Sequence, residues 1–535
     1  MTEGWHYGNL WDVAAEVRGD QPALVHGELR RSWAAFQARS GALAAALVSG
    51  GARRGDRVAL HLHNSPEYLE GVYATFQAGL TPVNTNYRYR GDELTYLWDN
   101  ADAVAVIFHG AFTDTIAGVR DRVPAVQRWL WVADGTGPCP PWAAPYEEVV
   151  AGGDGPFLAP WGRSGDDIVM IYTGGTTGLP KGVMWRHHEM HRAFSTSNDG
   201  ETADLAVARQ RVAAAERGPV GLPGSPLMHA TGFMFAVSTL TQGGTVVTLP
   251  NRSFDPAALL DAVERERVQA VAIVGDAFAR PLLEVLERDR GRRDLSALAM
   301  LVSAGVMWSA DTKAALAAHL PTTALVDLLG STEAHGLGSS VSAPGADPTT
   351  ARFRLGHHAM VIDEQDQPVG PGHTGLLAVG GPCPVGYHKD PEKTARTFRM
   401  VDGQRVSVPG DWAAVEDDGS ITLLGRGSLC INTGGEKVFP EEVEEALETH
   451  PCVRDSTVVG VPDTDLGEAV AAIVEVVDGA STTPEELIAH VKQRLAGYKA
   501  PRHLLFVPDV GRSPNGKADY GGARRCLLDH LAAAT

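Results

Sequence analysis

The chain has 535 residues, too many for one ordinary domain, and its 44% hydrophobic and 21% charged residues are typical of soluble globular proteins. A formal net charge of −19 argues against binding to a nucleic-acid backbone, so an anionic substrate must be held by local basic groups. The five scattered cysteines include no Cys-x-x-Cys pair, and the first residues do not have the pattern of a secretory leader. These features predict a cytoplasmic protein without a disulfide framework or an integral membrane segment.

Apolar runs alternate with amphipathic segments along much of the chain, which is typical of an α/β fold. Strands are predicted at 57–62, 168–171, 268–274, 298–302 and 324–328, and helices at 66–78, 277–288 and 309–320. Such alternation implies parallel sheets covered by helices, with ligands near the carboxyl ends of the strands. We therefore predict a large N-terminal domain of layered α/β subdomains over residues 1–426.

The pattern changes near 425–428, and a compact α+β arrangement follows. It consists of a helix at 440–449, strands at 457–461 and 470–476, a helix from Thr483 to Gly497 and a strand at 504–507. Thr483 is expected to cap the second of these helices, with Pro484 in its first turn. About a hundred residues with their own apolar set predict a small C-terminal domain over 427–535.

The most informative motif is the segment 172–182, Tyr-Thr-Gly-Gly-Thr-Thr-Gly-Leu-Pro-Lys-Gly, which follows the apolar run 168–171. Its glycines allow the backbone to approach a ligand closely. Hydroxyl groups and one positive charge are supplied by Thr173, Thr176, Thr177 and Lys181. Such a loop suits a polyphosphate, but it is not a Walker A loop, because Pro180 and Gly182 flank the lysine.

With this loop the chain resembles the adenylate-forming superfamily, which includes acyl-CoA synthetases, peptide-synthetase adenylation domains and beetle luciferases. Segments 82–89, 274–279 and 434–440 look most like bacterial CoA ligases for fatty or steroid acids. The resemblance implies a ligase that uses ATP, Mg²⁺ and coenzyme A. A carboxylic acid and ATP first give acyl-AMP and pyrophosphate, and the CoA thiol then displaces AMP. In this family the small C-terminal domain is mobile and rotates between the two steps.

The resemblance also implies a role for individual residues. It assigns the phosphates to the loop residues Thr173, Gly174, Gly175, Thr176, Thr177, Gly178 and Lys181, although Gly174 stands where serine is usual. It assigns Mg²⁺ to Glu333 and Thr176, and the AMP phosphate to Thr332 in the segment Gly330, Ser331 and Thr332. It assigns adenine to the turn Ser303, Ala304 and Gly305, and the ribose to Asp411 and Arg426. Leu329 replaces the tyrosine that usually packs on the adenine.

Two lysine-bearing segments are expected to serve different steps. Lys517 resembles the lysine that enters the site for adenylation, where it offsets the repulsion between an anionic carboxylate and the anionic phosphate. Gly434, Gly435 and Lys437 resemble the loop that reaches the site after the rotation. The catalytic assignments are therefore Lys517, Lys181 and Glu333, with His229 at the aromatic position that closes the acyl pocket.

The expected acyl pocket is large. Its walls should come from 229–236, 274–279, 303–306 and 334–340, where small residues leave volume and Phe233, Met234 and Phe235 add apolar surface. Ala230 stands where amino-acid-activating relatives carry aspartate, which disfavours an α-amino acid. We predict a medium-to-long fatty or steroid-like acid. Asp276 is expected to belong to the start of a helix rather than to the pocket.

Alternatives stay open at this point. The chain could be an acyl-AMP ligase that delivers to a carrier protein, or a catalytically inactive nucleotide-binding protein, and a homodimer is possible. His187, His188 and His191 lie on a predicted helix without the His-Glu-x-x-His spacing of a metal site. We interpret these three histidines as part of a solvated helix face.

Overall fold

A computed structural model describes residues 4–175, 178–195, 204–289, 291–306, 308–342, 351–426, 429, 431–433, 436–463, 466–495, 497–513 and 516–534. Its α-helices are α1 (Tyr7–Arg18), α2 (Trp33–Ser49), α3 (Pro66–Ala78), α4 (Gly91–Asn100), α5 (Thr113–Ala117), α6 (Tyr146–Val150), α7 (His187–Phe194), α8 (Leu205–Ala213), α9 (Ala230–Thr241), α10 (Pro256–Glu266), α11 (Gly275–Asp289), α12 (Ala310–His319), α13 (Pro391–Thr397), α14 (Pro440–Glu448), α15 (Pro484–Arg494) and α16 (Tyr520–Ala534).

The strands up to the middle of the chain are β1 (Pro22–His26), β2 (Leu29–Ser32), β3 (Arg57–His61), β4 (Thr81–Asn84), β5 (Ala103–His109), β6 (Arg128–Val132), β7 (Ala144–Pro145), β8 (Ile168–Gly175), β9 (Gly178–Arg186), β10 (Val220–Pro223), β11 (Thr245–Thr248), β12 (Ala270–Ile273), β13 (Met300–Ala304) and β14 (Ala324–Leu329). The remaining strands are β15 (Gly338–Ser342), β16 (Arg352–Leu355), β17 (Ala359–Ile362), β18 (Thr374–Val379), β19 (Gly386–Tyr387), β20 (Phe398–Val401), β21 (Gln404–Ser407), β22 (Asp411–Val415), β23 (Ser420–Arg426), β24 (Ile431–Thr433), β25 (Glu436–Val438), β26 (Val453–Asp463), β27 (Gly467–Val476) and β28 (His503–Val507).

The largest sheet is parallel in one half and antiparallel in the other. Strands β11, β10, β12, β13 and β14 pair in parallel, which confirms the predicted parallel arrangement for this part of the chain. From β15 onward the sheet continues through antiparallel β16, β23, β22 and β18. The sequence reasoning missed this half because its strands are short and several carry Gly, Ser and Arg instead of an apolar run.

Helix α11 illustrates why the parallel half is stable. Its residues Phe278, Ala279, Leu282, Val285 and Leu286 recur at helical spacing and are at most 9% exposed, within a core that includes β12, β13 and α12. Strand β13 begins at Met300 rather than at the predicted Leu298. Leu298 instead closes a turn, donating its backbone N–H to the carbonyl of Leu295 at 2.9 Å.

A second sheet has the order β19-β9-β8-β4-β3-β5-β6-β7. Strand β3 and helix α3 lie where they were predicted, and the buried face of α3 includes Tyr68, Val72 and Phe76. Strands β8 and β9 form an antiparallel hairpin whose connection contains the predicted phosphate loop.

Two of the three histidines of α7 are buried, so their interpretation as a solvated helix face is wrong. His187 is 0% and His191 is 5% exposed. The N-terminal segment covers α7, because His187 Nδ1 accepts the N–H of Tyr7 at 3.2 Å and His188 Nδ1 accepts that of Trp5 at 3.1 Å. Within the described ranges, no group of three or more His, Cys, Asp or Glu residues is arranged to hold a metal ion.

The small C-terminal domain has its own sheet and two core clusters. The first cluster packs α14 and α15 against β26 and β27, and the second packs α16 against the same strands from the other side. The predicted cap of α15 is confirmed, since Thr483 Oγ1 accepts the N–H of Glu486 at 3.2 Å. The helix ends at Arg494, before the predicted Gly497. In the part of the chain that is described, no helix is long and apolar enough to cross a membrane.

Candidate active site

A continuous cavity of about 2500 Å³ lies between the large domain and the small one. Four residues that the sequence singled out come from distant parts of the chain and line this cavity together: Thr173, Glu333, Asp411 and Lys517. The carboxyl ends of β12, β13 and β14 border it, as expected for ligand sites in sheets of this type.

The phosphate-loop hairpin places Thr173 directly opposite Lys181 in the β8–β9 ladder. The ammonium group of Lys181 forms an ion pair with Asp390. Asp390 also caps α13, accepting the N–H of Lys393 at 2.9 Å, and its hydrogen bond to Lys181 lowers the pKa of the Asp390 carboxyl. For Gly174, Gly175 and Gly178 only the strand backbone is described, while Thr176 and Thr177 lie outside the described residues.

Glu333 follows β14 on a tight loop at the edge of the cavity. The loop is fixed by Ser331, whose N–H donates to the carbonyl of Ala334 at 2.8 Å, and by Trp185 Nε1, which donates to the carbonyl of Thr332 at 2.9 Å. Glu333 Oε1 accepts the hydroxyl of Tyr387 at 2.7 Å. Among the described residues no lysine or arginine forms an ion pair with this carboxylate, which fits a ligand for Mg²⁺ shared with phosphate oxygens.

Two residues near Glu333 were not found by the sequence reasoning. Tyr387 orients the carboxylate, and the Lys393 ammonium lies 4.2 Å from the centroid of the Tyr387 ring. Both line the cavity, and Lys393 adds a positive charge beside the ring that orients Glu333. The sequence pair Asp390-Pro391 could have indicated this region, because it is typical of a helix start and marks the beginning of α13.

Asp411 and Arg426 are brought together by strand register. They are direct partners in the antiparallel β22–β23 ladder, so the backbones of the two residues lie side by side. Asp411 lines the cavity, whereas only the backbone of Arg426 is described.

The turn Ser303-Ala304-Gly305 is divided between two faces of the sheet. Ala304 and Gly305 line the cavity. The Ser303 side chain is 0% exposed and lies on the opposite face, where its Oγ accepts the N–H of Gly275 at 2.8 Å and holds the start of α11. Side chains alternate between the faces of a strand, which accounts for this division. Gly330, Ser331 and Thr332 line the cavity together with Leu329.

His229 precedes α9 and borders the cavity as a neutral ring. Burial, followed by the nearby charges of Lys517 and Arg88, lowers the pKa of His229 to about 3. Its Nε2 has no hydrogen-bond partner among the described residues. His229 can therefore contribute shape and a polar nitrogen near neutral pH, but not a positive charge.

Lys517 is held in a tight turn of the small domain. The N–H of Ser513 donates to the carbonyl of Lys517 at 2.8 Å, and the N–H of Gly516 donates to the carbonyl of Ser513 at 2.8 Å. Gly516 has φ of +75°, and a Cβ there would lie 3.1 Å from the Cβ of Ala277, so glycine permits this close approach. The turn therefore packs on the large domain beside the expected acyl pocket.

The second lysine-bearing segment is described only in part. Gly434 and Gly435 lie outside the described residues, and the Lys437 backbone lies opposite Asn432.

The acyl side of the cavity has one wall of small residues. Ala270, Ala272 and Ala304 line it from β12 and β13, and Met234 and Phe235 line it from α9. Phe233 is not part of the wall as predicted, because it packs into the core beneath α9 and is not among the residues that line the cavity. Asp276 borders the cavity but is engaged at the start of α11, accepting the N–H of Ser309 at 3.2 Å and pairing with Arg280 at 3.0 Å.

Comparison with known proteins reveals similarity along nearly the whole chain. The AMP-binding enzyme family model matches residues 11–387, and the AMP-binding enzyme C-terminal domain model matches residues 442–517. The medium/long-chain-fatty-acid–CoA/3-oxocholest-4-en-26-oate–CoA ligase of Mycolicibacterium smegmatis is 37% identical over 532 residues, covering 96% of this chain and 95% of that protein. The 3-oxocholest-4-en-26-oate–CoA ligase of Rhodococcus rhodochrous is 36% identical over 530 residues, with the same coverage of 96% and 95%.

The fold has a close counterpart among solved structures. The structure of the anthranilate CoA ligase AuaEII in complex with anthranoyl-AMP superposes with a TM-score of 0.84, covering 100% of this chain and 99% of that chain at 21% identity. At this identity the likeness concerns the fold, with its large domain and its separate small C-terminal domain.

Proposed function

Because the chain belongs to the AMP-binding enzyme family, we propose that it is an ATP-dependent carboxylate–CoA ligase. The reaction joins a carboxylate to AMP with release of pyrophosphate, and the CoA thiol then displaces AMP to give a thioester. The observation that carries this proposal is the convergence of Thr173, Glu333, Asp411 and Lys517 on one cavity. We propose the site roles given by the family resemblance, a domain boundary between residues 426 and 427, and a cytoplasmic enzyme that can form a homodimer.

In the proposed first step, cationic side chains reduce the repulsion between two anions. The substrate carboxylate lies beside neutral His229, and Lys517 extends from its turn toward the carboxylate and the α-phosphate. Lys181 leaves Asp390 to bind the outgoing phosphates. Asp411 accepts hydrogen bonds from the ribose. Negative charge grows on the phosphate oxygens as the carboxylate attacks, so a fixed ammonium group is most effective at that moment.

Glu333 is the proposed protein ligand for Mg²⁺. When bound, the ion would neutralise phosphate charge and polarise the bond to pyrophosphate. Tyr387 holds the Glu333 carboxylate in place through its 2.7 Å hydrogen bond. Thr176 is proposed to add a hydroxyl ligand to the ion.

The acyl substrate is proposed to be a medium-to-long fatty acid or a steroid-like acid. The cavity follows β13 from Gly305 down to Met300 and β12 from Val274 down to Ala270. A path along four residues of strand is about 13 Å long, enough for a chain of about ten methylene groups. The small alanine side chains on this face leave width for a fused-ring skeleton. The name of the M. smegmatis ligase includes both medium/long-chain fatty acids and 3-oxocholest-4-en-26-oate, and that of the R. rhodochrous ligase includes the latter acid.

We expect kcat/KM for pyrophosphate release to be higher with octanoate, palmitate or a steroid side-chain acid than with acetate or benzoate. The long apolar wall contributes binding free energy only to acids that reach along it. The measurement is coupled pyrophosphate release across this panel, with and without CoA. A preference for acetate or benzoate would contradict the large-pocket assignment.

The same assay separates the alternative functions. Pyrophosphate release followed by acyl-CoA formation supports the ligase. Acyl-AMP formation that leaves CoA unused, but proceeds to a carrier protein, supports the acyl-AMP ligase. Binding of ATP without pyrophosphate release from any acid would identify an inactive nucleotide-binding protein.

Replacement of Asp411 by alanine should raise the KM for ATP by about tenfold or more, because charge-assisted hydrogen bonds to the ribose are lost. AMP binding measured by calorimetry should weaken in parallel. The matched control is Asp417→Ala, an exposed residue in the loop at the other end of the β22–β23 hairpin. Equal nucleotide affinity in the two variants would remove Asp411 from the ribose site.

A further inference from the structure

A charged network crosses from the small domain to the large one beside the Lys517 turn. On the small domain, the Arg512 guanidinium donates to the carbonyl of Gly516 at 3.2 Å and to both carboxylate oxygens of Asp455 at 2.5 Å. Arg512 thereby braces the turn that presents Lys517. Its Nη2 also lies 3.7 Å from Glu448 Oε1, at the end of α14.

Glu448 is the point at which this network meets the large domain. Its second carboxylate oxygen lies 3.3 Å from Arg280 Nη2. Arg280 belongs to α11, whose first residues border the acyl cavity, and it also pairs with Asp276 at 3.0 Å. In addition, the Arg280 guanidinium donates to the backbone carbonyl of Arg454 in the small domain. One arginine of the large domain therefore holds the small domain at two places.

The network depends on both arginines. The Glu448 side chain is only 10% exposed, and burial together with Asp455 raises the pKa of its carboxyl, whereas Arg280 and Arg512 lower it and favour the ionised form. Removal of Arg280 would leave a buried carboxyl group with one cation instead of two. The ion pair between Glu448 and Arg512 would then weaken, and the brace of the Lys517 turn with it.

We infer that Arg280 is a positioning residue that sets Lys517 for the first half-reaction, acting through Glu448 and Arg512. This inference rests on the proposed role of Lys517 in acyl-AMP formation. Arg280 contributes no group to the reaction itself. It fixes the arrangement in which the Lys517 turn packs against Val274 and Ala277. A displaced Lys517 would slow acyl-AMP formation, because this step needs close alignment of the reacting groups.

The first test is physical and needs no substrate. In the ligand-free full-length protein, hydrogen–deuterium exchange should become faster at the amides of Ser513 and Gly516 in Arg280→Met. Arg288→Met is the matched control, since Arg288 lies on the same helix and pairs only with neighbouring Asp289 among its described ionic contacts. If Arg280→Met and Arg288→Met show the same exchange in this turn, the inference is overturned.

The second test separates the half-reactions. Arg280→Met should lower kcat for acyl-AMP formation by about 10- to 100-fold with little change in the KM for ATP. It should leave thioester formation from synthetic acyl-AMP unchanged. Arg280→Lys should restore part of the rate, and Glu448→Gln combined with Arg280→Met should cost little more than Arg280→Met alone. An equal fall in both half-reactions would overturn the inference.

These tests also separate failure of the inference from failure of the proposed function. If wild-type protein releases no pyrophosphate with any acid while the turn still loosens in Arg280→Met, the ligase proposal fails and the positioning contact stands. If wild-type protein is active and Arg280→Met matches Arg288→Met in rate and exchange, the ligase proposal stands and the positioning role fails.

Discussion

Replacement of Lys517 by alanine is expected to lower the rate of acyl-AMP formation by on the order of 10²–10³-fold. Lys517 is a cation that the small domain presents beside His229, and its charge helps to lower the pKa of that ring. The anionic carboxylate would then approach an anionic phosphate with less compensation. Thioester formation from pre-made acyl-AMP should be largely intact, because the family resemblance implies a different arrangement of the small domain for this step.

The measurement is pyrophosphate release for the first step and acyl-CoA formation from synthetic acyl-AMP for the second. Lys492→Ala is a suitable control, because Lys492 is an exposed residue on α15 of the same domain. If Lys517→Ala lowers both half-reactions equally, its assigned role is wrong.

The second large effect is expected for Glu333→Gln. Glutamine keeps an oxygen that can accept the Tyr387 hydroxyl, so the loop should retain its structure. It removes the negative charge that we propose for Mg²⁺ binding. We therefore expect kcat/KM for ATP to fall by on the order of 100-fold, and the half-saturating Mg²⁺ concentration to rise.

A Mg²⁺ titration of the initial rate at fixed ATP measures both quantities. Glu287→Gln, at an exposed position on α11, controls for the loss of one negative charge. Tyr387→Phe should give a smaller effect than Glu333→Gln, since it removes only the group that orients the carboxylate. An unchanged Mg²⁺ requirement in Glu333→Gln would assign the ion to other ligands.

Site residues that belong to short sequence motifs could be predicted from the sequence. Asp411 and Arg426 are 15 residues apart in the chain, yet family order placed them together and the β22–β23 register makes them partners. The bounds of β14 and α12 were also predicted to within one residue at each end. In these cases local pattern and tertiary structure agree.

The remaining features depend on geometry that a linear pattern does not contain. Ser303 lies next to Ala304 in the sequence, but strand alternation turns its side chain to the opposite face. Phe233 and Met234 are equally apolar, and only the packing of α9 determines which of them borders the cavity. Asp390 reaches Lys181 across 209 residues of chain, a separation at which no periodicity carries information.

The hairpin that carries Asp411 lies next to the connection between the two domains. Strand β23 ends at Arg426 in the largest sheet, and β24 begins at Ile431 in the sheet of the small domain, so the chain passes between domains beside the proposed ribose site. A rotation about this junction would move the small domain relative to the sheet that carries Asp411. The Lys517 turn would move with the small domain, whereas a sugar bound at Asp411 would stay with the sheet of the large domain. The acyl adenylate could thus stay anchored while the groups around its reactive carbonyl are exchanged.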